Sequence, residues 1–225
     1  MGKHKHVVVI YPHPDDESFG AAGTISQYRK QGVPVTYLCG TLGEMGRNMG
    51  NPPIANRETL PQIRREELLE AAKVLDMEVK MLGFRDKTLE FEDLTMVATH
   101  IKEYLDQIKP SLVITHYSDY AVHPDHNALG AAAIEAVRMM DKSERPVVWA
   151  QAISRNFEDV LGSPDVKNDV RAEIDTKLKA IYAHKTQAEG VLSQFMQPGF
   201  SEEEFKKEVA NNFSTEQFYV WKYND

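Results

Sequence analysis

Short apolar segments that alternate with helical segments constrain the fold of this chain more than any other feature. Residues 6–11 form a short, almost entirely apolar run, as expected for a strand buried on both faces of a sheet. Strands that alternate with helices form parallel sheets with right-handed crossovers. The pattern therefore predicts an α/β fold, a Rossmann-like three-layer sandwich with a mostly parallel sheet. Further strands are predicted at residues 34–40, 79–82, 111–117, 146–153 and 216–223, and helices at residues 17–30, 63–75, 94–108, 127–140, 175–184 and 201–211.

Length, charge and cysteine content narrow the classes of protein to consider. The 225 residues suffice for one sizeable core and show no clear boundary, so residues 1–225 are predicted to form a single domain. A formal net charge of -8 argues against nucleic acid as a partner. No apolar run approaches the roughly 20 residues of a membrane span. Cys39 is the only cysteine, so no intramolecular disulfide can form, and a cytoplasmic setting is expected.

Two similar polar loops each follow a predicted strand directly. HPDDE begins at His13, and HPDH begins at His123, before a helix with Asn127 as its predicted N-cap. Because parallel sheets bind ligands beyond the carboxyl ends of their strands, both loops are expected at one site. His13 and Asp16 can face one point, which His123 or His126 can reach from the second loop. One carboxylate and two imidazoles are the ligands of a catalytic zinc with an open position.

For one such loop alone, the simpler interpretation is a capped helix start with exposed histidines, and the second loop turns the balance toward a metal. The residues left over fit catalysis. Asp15 can act as a general base beside the attacking water. The spare histidine can donate to a developing oxyanion, as a cation or as a neutral N–H group. Asp125 can orient that histidine and raise its pKa. Together these groups predict metal-assisted hydrolysis of an acyl or amide bond.

A resemblance to the PIG-L/LmbE-like N-acetylglucosamine deacetylases rests on five segments between about residues 6 and 140: HPDDESFGAAGTI, GEMGRNMG, RREELLEAAKVLD, GFRDKTLEFED and HPDHNALG. HKTQ at residues 184–187 is a weaker match. The long Gly-, Asn- and Pro-rich insert at residues 43–61 looks most like the branch that acts in bacillithiol biosynthesis. The whole chain is accordingly expected to be one LmbE-like deacetylase domain.

The resemblance implies a metal site and an assembly. It implies that His13, Asp16 and His126 bind one divalent metal ion. Zn²⁺ is expected, and Fe²⁺ or Mn²⁺ also suit such a ligand set. Members of the family often assemble as trimers or hexamers, so a homo-oligomer is expected.

The resemblance also implies roles for four further residues. Asp15 matches the general base of the family, and His123 matches the acid that also contacts the oxyanion. Arg64, in the helix after the insert, and Asp86, in GFRD, match positions that contact the sugar. The expected substrate is a small N-acetylglucosaminyl compound, and N-acetylglucosaminyl-malate is the one predicted.

The chain departs from some relatives at Val122, where they carry an arginine able to bind an anionic aglycone. An anion contact must then come from elsewhere, and Arg47 is the candidate. Arg64 is the second candidate, because arginine can grip a carboxylate with two parallel hydrogen bonds. Arg57 and Arg65 are expected to pair with glutamates of their own helix instead.

Other interpretations remain open at this stage. The substrate could be another N-acetylglucosamine conjugate or a chito-oligosaccharide. A metallophosphoesterase would need two metal ions and more ligands than the sequence offers. A non-enzymatic metal-binding module would have no use for Asp15. Four residues are set aside as structural or surface residues: Cys39 within a strand, His100, His116 and His184.

Overall fold

The computed structural model describes residues 4–195 and 197–224, and its central feature is a seven-stranded sheet. The strands are β1 (Val7–Tyr11), β2 (Val35–Cys39), β3 (Glu78–Met81), β4 (Leu112–His116), β5 (Val147–Gln151), β6 (Val166–Asp169) and β7 (Thr215–Val220). Their order in the sheet is β3-β2-β1-β4-β5-β7-β6. The first five are parallel, and β7 is antiparallel to both β5 and β6. The predicted α/β class with a mostly parallel sheet is confirmed.

Helices connect most of the strands. They are α1 (Asp16–Gly20), α2 (Ala22–Lys30), α3 (Leu60–Leu75), α4 (Leu94–Ile108), α5 (Pro124–Arg138), α6 (Phe157–Leu161), α7 (Ile174–Ala183), α8 (Ala188–Leu192) and α9 (Glu202–Asn212), with 3-10 turns at Leu89–Phe91, Arg171–Glu173 and Ser193–Phe195. The bounds of α4 are those predicted, whereas β6, α6 and α8 were not predicted. Within the described ranges, no helix is both long and apolar enough to span a lipid bilayer.

Alternate residues of β1 enter two separate apolar cores, as the period of a strand requires. Val7, Val9 and Tyr11 pack on one face of the sheet, in the cluster that holds residues of α2, α3 and α7. Val8 and Ile10 pack on the other face, against α4 and α5. All five residues of β1 are fully buried. The central strand is therefore fixed from both sides, and so is the position of the HPDD loop that follows it.

The helix predicted to run unbroken from the HPDDE motif is two helices, α1 and α2. Glu216 of β7 accepts hydrogen bonds from the backbone N–H groups of Gly23 (2.9 Å) and Thr24 (2.8 Å). These N–H groups would otherwise bond within a continuous helix. The Gly20 carbonyl accepts instead from Gln151 Nε2 at 2.9 Å. The prediction was wrong here because both groups that interrupt the helix come from distant strands.

Helix α5 begins at Pro124, and Asn127 is not its N-cap. Proline is favoured in the first turn of a helix because its fixed φ is helical and it has no N–H group to satisfy. His123 is the N-cap, and its Nδ1 accepts a hydrogen bond from the backbone N–H of Asp125 at 3.2 Å. Asn127 instead accepts from the backbone N–H of Ala121 at 3.0 Å. The earlier start places the whole HPDH motif at the helix N-terminus.

The two HPD loops meet because their strands are neighbours. Strand β1 lies between β2 and β4, so the order of connections reverses between β1 and β4. Open α/β sheets form their ligand crevice at such a switch point. HPDD follows β1 and HPDH follows β4, so the fold brings both loops to this crevice.

Candidate metal centre and active site

Three donor atoms converge at the crevice between β1 and β4. His13 Nδ1 lies 3.2 Å from His126 Nε2. The carboxylate of Asp16 completes a triangle, with Oδ2 3.3 Å from His13 Nδ1 and Oδ1 3.3 Å from His126 Nε2. These are the three residues that the resemblance implies as ligands, and the structure places them within reach of a single ion.

The other nitrogen of each imidazole ring shows where the lone pairs point. His126 Nδ1 lies 3.1 Å from the carbonyl oxygen of Ala121, which can only accept a hydrogen bond. His13 Nε2 lies 3.2 Å from Asp86 Oδ1 and 3.4 Å from Asp125 Oδ2. These outer nitrogens therefore carry the protons. In the neutral rings, the lone pairs of His13 Nδ1 and His126 Nε2 face each other and the Asp16 carboxylate, an arrangement that suits a cation between them.

The spacing and charge of the donors fit a divalent metal. With bonds of about 2.0–2.1 Å, the corners of a tetrahedron lie about 3.3–3.4 Å apart. This is close to the 3.2 Å between the two ring nitrogens and to the 3.3 Å from each nitrogen to one oxygen of Asp16. Burial alone would raise the pKa of Asp16, but His126 and His13 hold it well below its usual value. Burial lowers the pKa of His13, but the carboxylates of Asp125, Asp16 and Asp86 outweigh it and raise that pKa well above the usual value. The site thus attracts positive charge.

Two carboxylates behind His13 fix its ring. Asp125 is fully buried and also accepts from the backbone N–H groups of Lys87 (2.6 Å) and Leu89 (3.2 Å). The prediction that Asp125 orients the spare histidine, His123, is wrong. The carboxylate faces His13 instead, because these two N–H groups hold it there. Asp86 likewise bonds His13 and the backbone N–H of Met45 at 2.7 Å, so its oxygens are already engaged although it borders the cleft.

The ring of His126 is held from its flat side as well as from its edge. His116, at the end of β4, stacks on it with a centroid distance of 4.1 Å and an interplanar angle of 6°. Burial, together with the charges of His126 and other histidines, lowers the pKa of His116 well below its usual value, so that ring is neutral. The sequence had set His116 aside as structural, and its contact shows that it supports a candidate ligand.

Asp15 occupies a strained backbone conformation beside the three donors. Its φ of 120° lies far from the regions that residues other than glycine favour. Such strain costs about 1–3 kcal/mol and persists only where surrounding contacts enforce it. Burial raises the pKa of the Asp15 carboxyl to about 6, against the opposing charge of Arg64 and with help from Asp16.

Arg64 contacts the protein and is not a free anion-binding group. Its Nη2 lies 3.2 Å from Asp15 Oδ1 and donates to the Pro14 carbonyl at 2.5 Å, and its Nη1 donates to the Gly43 carbonyl at 3.0 Å. Arg64 is only 4% exposed. A Cβ at Gly43, where φ is +61°, would lie 2.1 Å from Nη1, so glycine is required there. The guanidinium that was expected to contact the sugar or an anion therefore already bonds Asp15 and the Gly43 carbonyl of the insert.

His123 lines the cleft and carries its ring proton on Nε2. Because Nδ1 accepts from the Asp125 backbone, the neutral ring carries its hydrogen on Nε2. Burial, followed by the charges of His13 and His126, lowers the pKa of His123. Of the two forms that the sequence left open, a neutral N–H donor is therefore favoured.

His13, Asp16 and His126 line a cleft of about 400 Å³, a volume within the range of small-molecule sites. Arg47 and Lys87 are exposed at its walls and have no ion-pair partner among the residues that the structure describes. Gln187, from the HKTQ segment, also lines it. Sequence reasoning named Arg47 but missed Lys87, although this lysine follows the GFRD motif directly. Arg57 donates to the Gly46 carbonyl at 2.7 Å, within the insert itself.

His184 is fully buried behind the HPDD loop. Its Nε2 lies 2.8 Å from Glu17 Oε1 and 3.2 Å from Ser18 Oγ. Burial lowers the pKa of His184, but the charge and hydrogen bond of Glu17 outweigh this and raise it. His184 was expected to be either structural or on the surface. It is buried, and it contacts Glu17 of α1, the helix that follows Asp15.

A family model described as PIG-L, GlcNAc-PI de-N-acetylase, matches residues 8–137, more than half of the chain. This chain belongs to the PIG-L family. The matched region contains both HPD loops, Arg64 and Asp86, so the family model covers the part of the chain from which most of the cleft is built.

Several PIG-L relatives match the chain over most of its length. The Bacillus subtilis (strain 168) "Probable N-acetyl-alpha-D-glucosaminyl L-malate deacetylase 2" is 48% identical, over 98% of this chain and 99% of the relative. A protein of the same name from Bacillus anthracis is 42% identical, over 100% and 99%. The structure of an N,N'-diacetylchitobiose deacetylase from Pyrococcus horikoshii, bound to an inhibitor, superposes with a TM-score of 0.73 at 24% identity. The superposition covers 97% of this chain and 84% of the Pyrococcus horikoshii chain, and it supports the fold.

The geometry predicts that the two HPD loops together bind one metal ion. His126→Ala should lower the affinity for a divalent ion by more than the roughly 10–100-fold typical of changes behind the ligands. Asp125→Asn, which removes the negative charge behind His13 and leaves the three proposed ligands in place, should weaken binding within that range. Calorimetric titration of the metal-depleted protein measures both, and His100→Ala, whose Nε2 contacts the Leu82 carbonyl on another face, is the matched control. Unchanged affinity in His126→Ala would refute the proposed ligand set.

Proposed function

We propose that this protein is a metal-dependent deacetylase that hydrolyses the acetamide of N-acetylglucosaminyl L-malate, giving glucosaminyl-malate and acetate as a step toward bacillithiol. The convergence of His13, Asp16 and His126 beside the strained Asp15 carries the proposal. Similarity to malate-conjugate deacetylases along the whole chain supports the choice of substrate. Amide hydrolysis by a PIG-L protein is the activity that this arrangement fits best.

His13, Asp16 and His126 would hold the metal ion. Two imidazoles and one carboxylate leave a coordination position open, and the donor spacing suits Zn²⁺, although Fe²⁺ and Mn²⁺ accept the same donors. When bound, such an ion supplies a Lewis acid that polarises the acetyl carbonyl and lowers the pKa of water. Asp86, Asp125 and the Ala121 carbonyl keep the proton on the outer ring nitrogens and so keep the inner lone pairs available.

Asp15 accepts the proton of the attacking water. A carboxyl with a pKa of about 6 is ionised at neutral pH, yet it is more basic than an ordinary aspartate. The positive charge of Arg64 stabilises the ionised Asp15 carboxylate, and its contact with Oδ1 restrains the Asp15 side chain. The water oxygen then forms the new bond to the acetyl carbon.

His123 stabilises the charge that develops on the acetyl oxygen. Its ring is neutral and carries hydrogen on Nε2, so it can donate to the oxyanion without first gaining a proton. When the C–N bond breaks, the sugar nitrogen takes up the proton removed from water. The acetic acid formed gives up its proton to the amine, so the products are a glucosaminium group and acetate, and the reaction consumes one water molecule.

Arg47 and Lys87 would select the malate group. Malate carries two carboxylates, and among the described residues that line the cleft Arg47 and Lys87 are the two exposed cations. Val122, where some relatives carry arginine, is 71% exposed and offers no charge. Arg64 is already bonded to Asp15 and two carbonyls, so Lys87 replaces it as the partner of Arg47 in anion recognition.

The donor arrangement disfavours a two-metal phosphoesterase. A second group of possible donors in the described part of the chain comprises His13, His123 and Asp125. It shares His13 with the first group, and Asp125 is bonded to backbone N–H groups. Two ions about 3.5–4 Å apart need two sets of ligands. The site therefore fits one ion and a hydrolysis in which Asp15 supplies the base.

Asp15 and His123 should be separable from the ligands by mutation. Asp15→Asn should keep the metal and lower kcat by about 10²–10⁴-fold, because it removes the base. His123→Ala should also keep the metal and lower kcat by about 10²–10³-fold, because it removes an oxyanion donor. Acetate release and elemental analysis of the same preparations measure the two effects. Loss of metal from His123→Ala but not from His126→Ala would reverse the assignment of the two histidines.

Arg47 and Lys87 should affect the malate conjugate selectively. Arg47→Ala and Lys87→Ala should each lower kcat/KM for N-acetylglucosaminyl-malate by about 10-fold or more, since hydrogen bonds to charged groups contribute about 1.5–3 kcal/mol. The kcat/KM for methyl N-acetylglucosaminide, which has no carboxylate, should change little. Arg65→Ala is the matched control, because Arg65 is an exposed arginine on α3 that lines a different pocket. Equal losses on both substrates would leave only a general N-acetylglucosamine deacetylase.

A further inference from the structure

The backbone of Asp15 is held by a carboxylate two residues along the chain. Asp15 has φ 120° and ψ -29°, a conformation that the chain would leave unless other contacts enforced it. Its backbone N–H donates to Glu17 Oε2 at 3.0 Å. This bond ties the position of the Asp15 backbone to the orientation of the Glu17 side chain.

Glu17 is itself fixed by a residue from the far end of the chain. Its side chain is fully buried, and Oε1 accepts from Ser18 Oγ at 2.6 Å and from His184 Nε2 at 2.8 Å. With Oε1 occupied by these two donors, Oε2 is left to face the Asp15 N–H. His184 follows the last residue of α7 and is separated from Glu17 by 167 positions.

His184 is a costly choice for a residue that only fills space. It is 0% exposed, and its Nδ1 has no hydrogen-bond partner among the described residues. A buried polar atom without a partner costs about 1–3 kcal/mol, which an apolar side chain of similar size would avoid. The contact with Glu17 is therefore the feature that a histidine provides here and an apolar residue would not.

We propose that His184, acting through Glu17, is a positioning residue that holds Asp15 in its left-handed backbone conformation and so directs the Asp15 carboxylate into the cleft. The inference rests on the proposed role of Asp15 as the base. Arg64 restrains the carboxylate, whereas Glu17 and His184 restrain the backbone that carries it. Misplacement of a reacting group by about 1 Å can cost about 10²-fold in rate.

Two amide substitutions of His184 separate positioning from bulk or charge. The side-chain nitrogen of glutamine lies as many bonds from Cα as His184 Nε2, so His184→Gln keeps a donor within reach of Glu17. The nitrogen of asparagine is one bond shorter, so His184→Asn loses that donor. His184→Asn should lower kcat by about 10–100-fold with KM and bound metal unchanged. His184→Gln should recover most of that loss, and equal activities of the two variants would overturn the proposal.

A double-mutant cycle tests whether His184 acts through Asp15. In the Asp15→Asn background, His184→Asn should have little further effect on kcat, because the group it positions is gone. Full additivity of the two losses would overturn the proposal. Leu192→Ala controls for destabilisation: it opens a cavity in the apolar cluster with Ile181 and Val209 and removes none of the hydrogen bonds that join His184, Glu17 and Asp15. It should lower Tm at least as far as His184→Asn while kcat stays within about 2-fold, and a loss of kcat as large as that of His184→Asn would overturn the proposal.

A readout without substrate keeps this inference separate from the proposed activity. In ¹⁵N-labelled protein, the amide resonance of Asp15 reports its bond to Glu17. His184→Asn should shift this resonance markedly, whereas His184→Gln and Leu192→Ala should leave it near its wild-type position. An unmoved resonance in His184→Asn would overturn the positioning role even if the enzyme is active. Absence of acetate release from the wild-type protein would refute the deacetylase proposal and leave this comparison intact.

Discussion

The structure of the site depends on two imidazole lone pairs and one carboxylate that face a common point. The two inner ring nitrogens lie 3.2 Å apart, and each lies 3.3 Å from an oxygen of Asp16, so neutral rings direct two lone pairs at one another and at the carboxylate. The acceptors on the outer ring nitrogens enforce this arrangement, since they hold the ring protons away from the centre. The fold serves the same end, because β1 and β4 are neighbours at the switch point and deliver both loops to one crevice.

A second set of contacts controls the residue next to the donors. Arg64 reaches Asp15 from α3 and also binds the carbonyl of Gly43, so it links the long insert to the HPDD loop. Glu17 holds the Asp15 backbone, with His184 behind it. Burial raises the pKa of Asp15, and Arg64 limits that rise. The proposed base is thus positioned by three separate parts of the chain, which explains how a strained aspartate is maintained beside a metal-binding group.

The sequence predicted the features that local pattern determines. Helix α4 begins and ends where its pattern indicated, and the three candidate metal ligands that the family resemblance implied lie together. The errors arose from contacts between distant segments. Glu216 divides the first helix from 193 residues away, and backbone N–H groups after β3 turn the Asp125 carboxylate away from His123. Such contacts leave no local trace in a single sequence, whereas Lys87 could have been found from its place directly after the GFRD motif.

The stoichiometry of metal-dependent acetate release tests the central claim most directly. Protein stripped with a chelator would be titrated with Zn²⁺ while acetate release from N-acetylglucosaminyl-malate is followed. One ion held by the two HPD loops predicts that activity is lost on stripping and recovers linearly up to one equivalent per chain. Unchanged acetate release by the stripped protein, or a recovery that continues to two equivalents, would contradict the account.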